Sequence, residues 1–408
     1  MHPANGLSRS GNGSRQPEAR DGFVPAIESL RGLAAFMVAG FHALIWLDAG
    51  GGPQFLVTPA WCLDGGWQAF VTRWLLVIFN GGAAVTLFFV LSGFVLHASL
   101  QRAFRERNAL RAISAFMALR VVRLMPAYAV SLIVMVVVLR GVGAIPAPAS
   151  AAGWLAWFRF LPPDLATFGS NLLLLRVDLN PVAWTLRIEM FAFVMLAGLY
   201  LLARAAPATF MVLLAALLVF SVACPVEHVG RYAYLFALGL ACDRWGCQAL
   251  RLLSPSPRLA RAALCVGAAL VLLPGAWTLA HEVAVDAVSG LGAALVICVL
   301  SILAGEAAPR LLQHRSLRWL GRISFSFYLL HFAVLYVVCG LVVRFVPAEW
   351  MQSTPLPVML GAAVLALPLA ACLAGIVFSY VEQPALRAAR DAIFRTSAAS
   401  SAPRHRPR

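Results

Sequence analysis

The sequence predicts an all-α integral membrane protein of about ten transmembrane helices, and three observations predict it. Of 408 residues, 61% are apolar and only 12% charged, where ordinary soluble domains carry about 25% charged residues. The mean hydropathy is +0.83. Apolar stretches of the roughly 17 to 25 residues that span a bilayer recur along the whole chain.

Those stretches lie at 27–47, 81–99, 122–140, 183–203, 208–224, 229–242, 262–280, 287–305, 323–344 and 357–380. The sixth is short. Residues 154–175 are apolar enough to leave room for an eleventh, re-entrant segment. Pro274 and Pro368 fall inside spans, where neighbouring helices can re-satisfy the freed backbone groups. The first 25 residues lack the apolar run of a signal peptide and are expected to form a disordered cytoplasmic tail. Residues 26–385 form one membrane domain, and 386–408 are expected to form a second, basic, disordered tail.

The net charge of +15 is carried by Arg alone, for the chain has no Lys. Ten helices divide the Arg residues unevenly: 24 fall on the side of the termini and the even-numbered connections, six fall on the other, and Arg31 and Arg187 lie within helices. The positive-inside rule then puts both termini in the cytoplasm of a multi-pass protein in a bacterial inner membrane. This topogenic role accounts for the basicity and argues against nucleic acid as a partner. The eight Cys form no CxxC motif and no Cys/His ligand set, so neither a disulfide framework nor a metal site is expected.

Ionisable side chains inside a span are costly and mark function by default. In the first helix Arg31 and His42 are eleven residues apart, which returns to within about 20° of the same azimuth and separates them by roughly 16 Å. One polar stripe, which Glu28 extends, therefore joins the two halves of the bilayer. The fourth helix enters from the opposite side and brings Glu189 close in depth to His42. A carboxylate there would fix the imidazole tautomer and raise its basicity, as a general base requires. Separate pairing of the two residues within the helix packing is the alternative. His331 is expected nearer the inner half, in packing or catalytic support, and His97 at the inner interface. Ser92-Gly93 suits close helix approach better than nucleophilic chemistry. Arg120 and Arg123, spaced i,i+3 before Leu124-Met125-Pro126, form a fork on a helix end suited to phosphate.

Several of these elements occur in one order. Ile27-Glu28-Ser29-Leu30-Arg31-Gly32 with His42 gives an Arg-x10-His signature. Leu87-Phe88-Phe89-Val90-Leu91-Ser92-Gly93-Phe94 follows, then Arg120-Val121-Val122-Arg123. Next come Trp184-Thr185-Leu186 with Glu189, and Trp319-Leu320-Gly321-Arg322-Ile323-Ser324-Phe325-Ser326-Phe327-Tyr328-Leu329-Leu330-His331. Ser379-Tyr380-Val381-Glu382-Gln383-Pro384 closes the series. In this the chain resembles the membrane-bound acyltransferase 3 family, bacterial O-acyltransferases of surface polysaccharides and related acceptors. Two departures stand out: Ala192-Phe193 replaces the family's Phe-Tyr, and no hydrolase-type domain is appended.

The resemblance implies acyl-CoA, most simply acetyl-CoA, as a cytoplasmic donor. It also implies a saccharide or other hydroxyl-bearing acceptor, surrounding membrane lipids, and a partner in envelope biosynthesis. On that reading Arg120 and Arg123 hold the CoA phosphates, Arg31 positions or polarises the thioester, and His42, oriented by Glu189, deprotonates the acceptor. Glu28, Trp184, Tyr328 and His331 support them. A covalent acyl-His42 is a second mechanism. A secondary transporter or flippase for a saccharide or lipid-linked intermediate is the rival function, against which stands the lack of an internal repeat.

Overall fold

A computed structural model of the chain describes residues 24–401, apart from 53, 107, 158–162, 225–227, 254–255, 281 and 304–308. Most of the expected N-terminal tail and the end of the C-terminal tail lie outside the described residues. The fold is all-α, and the described residues contain no strand, only an isolated bridge between Leu47 and Ala151.

The helices in order are α1 (Pro25–Leu44), α2 (Gly66–Ile78), α3 (Gly81–Glu106), α4 (Ala109–Val142), α5 (Gly153–Trp157), α6 (Leu165–Leu172), α7 (Trp184–Ala205), α8 (Pro207–Ser221) and α9 (Val229–Ala241). They continue as α10 (Cys247–Leu253), α11 (Pro257–Leu272), α12 (Pro274–Trp277), α13 (Val283–Ile302), α14 (Arg310–Gln313), α15 (Arg315–Phe345), α16 (Ala348–Ser353), α17 (Pro355–Val377) and α18 (Gln383–Ser401). Turns of π-helix at Cys242–Gly246 and Phe378–Glu382 join α9 to α10 and α17 to α18.

Each of the ten apolar stretches contains a helix, although residues 45–47, 222–224, 278–280 and 303 at their ends are not helical. Among the described residues eight helices are long and apolar enough to cross a membrane. α8 and α9, at 15 and 13 residues, fall short of that length. The segment around 154–175 yields only the short α5 and α6, neither of spanning length.

Local chemistry sets the ends. Pro25 stands in the first turn of α1, where its missing N–H is no loss. Asn108 caps α4 by accepting from Arg111 N at 3.0 Å, and Asn80 Oδ1 accepts from Ala83 N at 3.0 Å at the start of α3. α4 stops at Gly143, whose φ of 72° suits glycine. Two expectations change here. Arg120 and Arg123 do not lie on a helix end, because α4 starts well before them and runs through Pro126. The tail expected to be disordered from 386 continues as α18 to Ser401, in a stretch rich in the helix-formers Ala and Arg.

α1 and α15 run parallel in the centre of the bundle. Their close approach rests on Gly32 and Gly321: a Cβ on Gly32 would sit 2.5 Å from Gly321 N, and one on Gly321 would collide with the Glu28 carbonyl. Gly93 of α3 and Gly239 of α9 meet each other's helix in the same way. Small residues let backbones touch where lipid supplies no hydrophobic drive between helices.

Candidate active site

The glycine contact fixes the register of α1 on α15. His42 is the eighteenth residue of α1 and His331 the seventeenth of α15, so two parallel helices starting level bring the two imidazoles together. His42 Nδ1 lies 3.1 Å from His331 Nε2, and the rings stack at 5.3 Å between centroids. One nitrogen must carry the proton and the other accept it, so the pair shares a single hydrogen bond. Phe41 and Phe332 stand edge-on to His42, each at 5.7 Å. The Trp154 indole donates to the His42 carbonyl at 2.7 Å.

This corrects two expectations. The partner of His42 is His331 and not Glu189, whose Oε1 accepts from Ser92 Oγ on α3 at 3.0 Å. α7 turns that carboxylate toward α3, whereas α15 occupies the flank of His42. His331 is not confined to the inner half: α15 begins at Arg315, eight residues before the apolar run at 323, and this carries His331 deeper.

A narrow cavity of about 90 Å³ opens between α1, α3, α4, α7 and α15, lined by Arg31, Ser92, Arg120, Arg123, Glu189 and Tyr328 with Thr185, Ser324 and a mostly apolar wall. Arg31 is attracted by Glu189, Glu382 and Glu28 and repelled by Arg123. Arg120 donates to Ser99 Oγ at 3.0 Å and lies over the Phe116 ring at 5.4 Å, while its Nε is buried with no partner among the described residues. Arg31 and Arg123 have no hydrogen-bond partner among the described residues. Three guanidinium groups facing one apolar cavity, two of them uncommitted, form a receptor for an anion.

Around this cavity the other residues take defined places. Glu28 does not line the cavity and lies in the field of Arg322 and Arg318 of α15 as well as Arg31. Glu382, which the sequence offered only as part of the closing motif, is 4% exposed. It accepts from Ser326 Oγ at 2.9 Å and lies in the field of Arg123 and Arg31. The π-helical turn that carries it supplies a counter-charge from the far side of the bundle. His97, expected at the inner interface, is buried within the protein, its Nδ1 2.6 Å from Asp243 Oδ2 of the other π-helical turn. Gly93 bears out the packing reading of its motif, but Ser92 hydrogen-bonds into the site.

A second, wider pocket of about 470 Å³ opens at the other end, lined by His42, Arg176, Asp178, Trp184, Arg187 and Phe332 among others. Trp184 packs edge-on to Phe89 at 6.4 Å and against Tyr232 at 5.6 Å. Partial burial raises the Asp178 carboxyl, but hydrogen bonds from Asn171 and Arg176 outweigh it and hold it below the usual carboxylate range. Arg176, Asp178 and Arg187 were not singled out as site residues: the first two sit in a loop without a motif, and Arg187 could be assigned only to a helix.

The two pockets lie one beyond the other along α1, α7 and α15 and share no lining residue. Thr185 and Tyr328 line the narrow one, while Trp184 and Phe332, their neighbours on α7 and α15, line the wide one. Tyr328 and Phe332 are one helical turn apart, about 6 Å. Here Thr185 Oγ1 donates to Tyr328 Oη at 3.0 Å, and Tyr328 Oη donates to the Val182 carbonyl at 3.1 Å. Arg31 and His42 thus face different chambers on one helix. The arrangement can hold an anionic, elongated molecule on one side and a hydroxyl compound beside an imidazole on the other.

No curated protein and no solved structure matches the chain. The protein-family model described as an acyltransferase domain matches residues 24–375, from the start of α1 almost to the end of α17. The chain therefore belongs to the acyltransferase 3 family.

Proposed function

We propose that the protein is a membrane-bound O-acyltransferase that moves an acyl group, acetyl in the simplest case, from cytoplasmic acyl-CoA to a hydroxyl of a cell-surface or exported saccharide. One observation carries this reading: an arginine-lined cavity and a histidine-lined pocket lie one beyond the other along α1. The protein lies in a bacterial plasma membrane with both termini cytoplasmic, and a biosynthetic partner supplies the acceptor.

Acyl-CoA supplies the thioester. Arg120 and Arg123 hold its phosphates, and Arg31 positions its slender arm in the narrow cavity so that the thioester is carried past it toward His42, roughly 16 Å further along α1. The acceptor hydroxyl enters from the wide pocket and attacks the acyl carbon. The C–O bond forms, the C–S bond breaks, and the hydroxyl proton passes to His42 and finally to the CoA thiolate. His331, hydrogen-bonded to His42, replaces Glu189 as the group that orients the base. Glu189 and Glu382 offset the repulsion between the Arg31 and Arg123 guanidinium groups.

The test is acetyl-CoA-dependent release of free CoA by the purified protein with envelope glycans as acceptor. Wild type is expected to release CoA, and Arg120→Ala and His42→Ala to lose the activity. Full activity in both variants would defeat the assignment, and absence of any CoA binding or turnover would defeat the function.

A further inference from the structure

One hydroxyl of the narrow cavity is left without a partner. Ser324 of α15 lines the cavity and is 1% exposed, and its Oγ has no hydrogen-bond partner among the described residues. The other hydroxyls of the same wall are committed: Ser92 Oγ donates to Glu189 Oε1 at 3.0 Å, Thr185 Oγ1 to Tyr328 Oη at 3.0 Å, and Tyr328 Oη to the Val182 carbonyl at 3.1 Å. Serines inside helices commonly donate to the carbonyl four residues back, as Ser99 and Ser301 do at 3.0 and 2.7 Å. Ser324 makes no such bond. Ser326, two residues on, donates to Glu382 Oε2 at 2.9 Å and does not line the cavity. A buried hydroxyl without a partner is costly and uncommon in native proteins. Where it faces a cavity, the occupant of the cavity can satisfy it.

Depth indicates which part of an occupant that is. α1 and α15 hold one register, with Gly32 against Gly321 and His42 against His331. Ser324 therefore stands level with Ala35, about 6 Å beyond Arg31 and roughly 10 Å short of His42. Tyr328 follows one turn further along the same face. Around Ser324 the cavity wall is apolar, with Phe88, Leu91, Phe325 and Leu329 among its members. With the donor phosphates at Arg120 and Arg123 and the thioester carried toward His42, the part of acyl-CoA that passes Ser324 is the pantetheine arm. Its amides lose water in such a cavity and need partners there. A serine hydroxyl can donate to an amide carbonyl or accept from an amide N–H.

We infer that Ser324 is a donor-binding residue: its hydroxyl hydrogen-bonds an amide of the pantetheine arm, holds the arm along the narrow cavity, and favours pantetheine thioesters over acyl donors that lack those amides. This rests on the acyl-CoA reading and assigns that reading a residue and a specificity.

Affinities for CoA and for 3′-phospho-ADP, the part of CoA that keeps all its phosphates and lacks the arm, are measured by calorimetry on wild type and Ser324→Ala, with thermal melts of both proteins. Loss of one neutral hydrogen bond predicts that Ser324→Ala binds CoA about three- to tenfold more weakly. Its affinity for 3′-phospho-ADP is expected to stay at the wild-type value, and its melting temperature not to fall, because the side chain has no partner within the protein. Undiminished CoA affinity would overturn the inference and leave water as the partner of Ser324. Equal weakening of both ligands, or a lowered melting temperature with no selective loss of CoA, would overturn it in favour of a structural role. A wild-type protein that binds neither ligand defeats the acyl-CoA reading and this inference with it, whereas CoA binding that Ser324→Ala leaves unchanged defeats only the inference.

Discussion

His42 and His331 share one hydrogen bond in an aromatic enclosure, and that geometry sets what each residue can be replaced by. Gln at 331 keeps a donor and an acceptor, whereas Phe keeps only the volume. His331→Gln is therefore expected to retain more transfer activity than His331→Phe. His42→Ala is expected to lose about 10²- to 10⁴-fold, the usual contribution of a general base. Steady-state transfer rates on folded variants check both, and equal activity of the two His331 variants would contradict the positioning role. Glu189→Gln carries a sign test. It removes a negative charge that attracts Arg31, so the donor cavity becomes more positive. Donor KM is expected to stay level or fall while kcat drops. A rise in KM with unchanged kcat would contradict this.

The residues of this site were legible in the sequence as types and approximate depths, because an ionisable group in an apolar run stands out. Their pairing was not. Depth was counted from the apolar edge of each run, and α15 starts eight residues before its edge, so His331 was placed too shallow. Which helix flanks which is set by Gly32 and Gly321 meeting across 289 positions, and no periodicity within either segment reports that.

Among the elements, the parallel α1–α15 pair positions the chemistry, and its glycines are its weak point. Gly321→Val would place atoms into the Glu28 carbonyl. It is expected to destabilise the protein by at least about 1–3 kcal/mol, as overpacking does, and to separate His42 from His331. Gly361→Ala provides the contrast, since a Cβ there meets nothing within 4 Å. A mid-helix Gly→Ala change is expected to be neutral or to stabilise by up to about 1 kcal/mol. Thermal melts in detergent, with activity measured alongside, decide it. A harmless Gly321→Val would show that the helices need not touch.

The long apolar helices were legible because lipid demands them. α2 was not, since its segment is amphipathic. Trp67, Phe70, Trp74 and Ile78 are exposed, while Arg73 is fully buried and reaches toward the carbonyls of Thr58 and Ala276. An arginine in a weakly apolar stretch masks a helix that the tertiary fold completes.

For the molecule as a whole, the two chambers matter only if they open to opposite sides of the membrane. On the proposed topology Arg251, in the last turn of α10, lies on the cytoplasmic side, and Cys62, in the connection after α1, on the other. Both positions are exposed. A membrane-impermeant maleimide is expected to label Cys62 in intact cells, and to label Arg251→Cys in a Cys62→Ser background only after permeabilisation. The reverse pattern would invert the topology.

The central claim is that donor and acceptor occupy separate chambers that lie one beyond the other along α1, and the most direct measurement separates donor binding from transfer. Acetyl-CoA affinity and single-turnover acyl transfer are measured on the same samples of wild type, Arg123→Ala and His42→Ala. The account predicts that Arg123→Ala loses donor affinity, and that His42→Ala binds acetyl-CoA as wild type does yet fails to transfer the acyl group. A His42→Ala protein that transfers normally, or an Arg123→Ala protein with undiminished donor affinity, would contradict it.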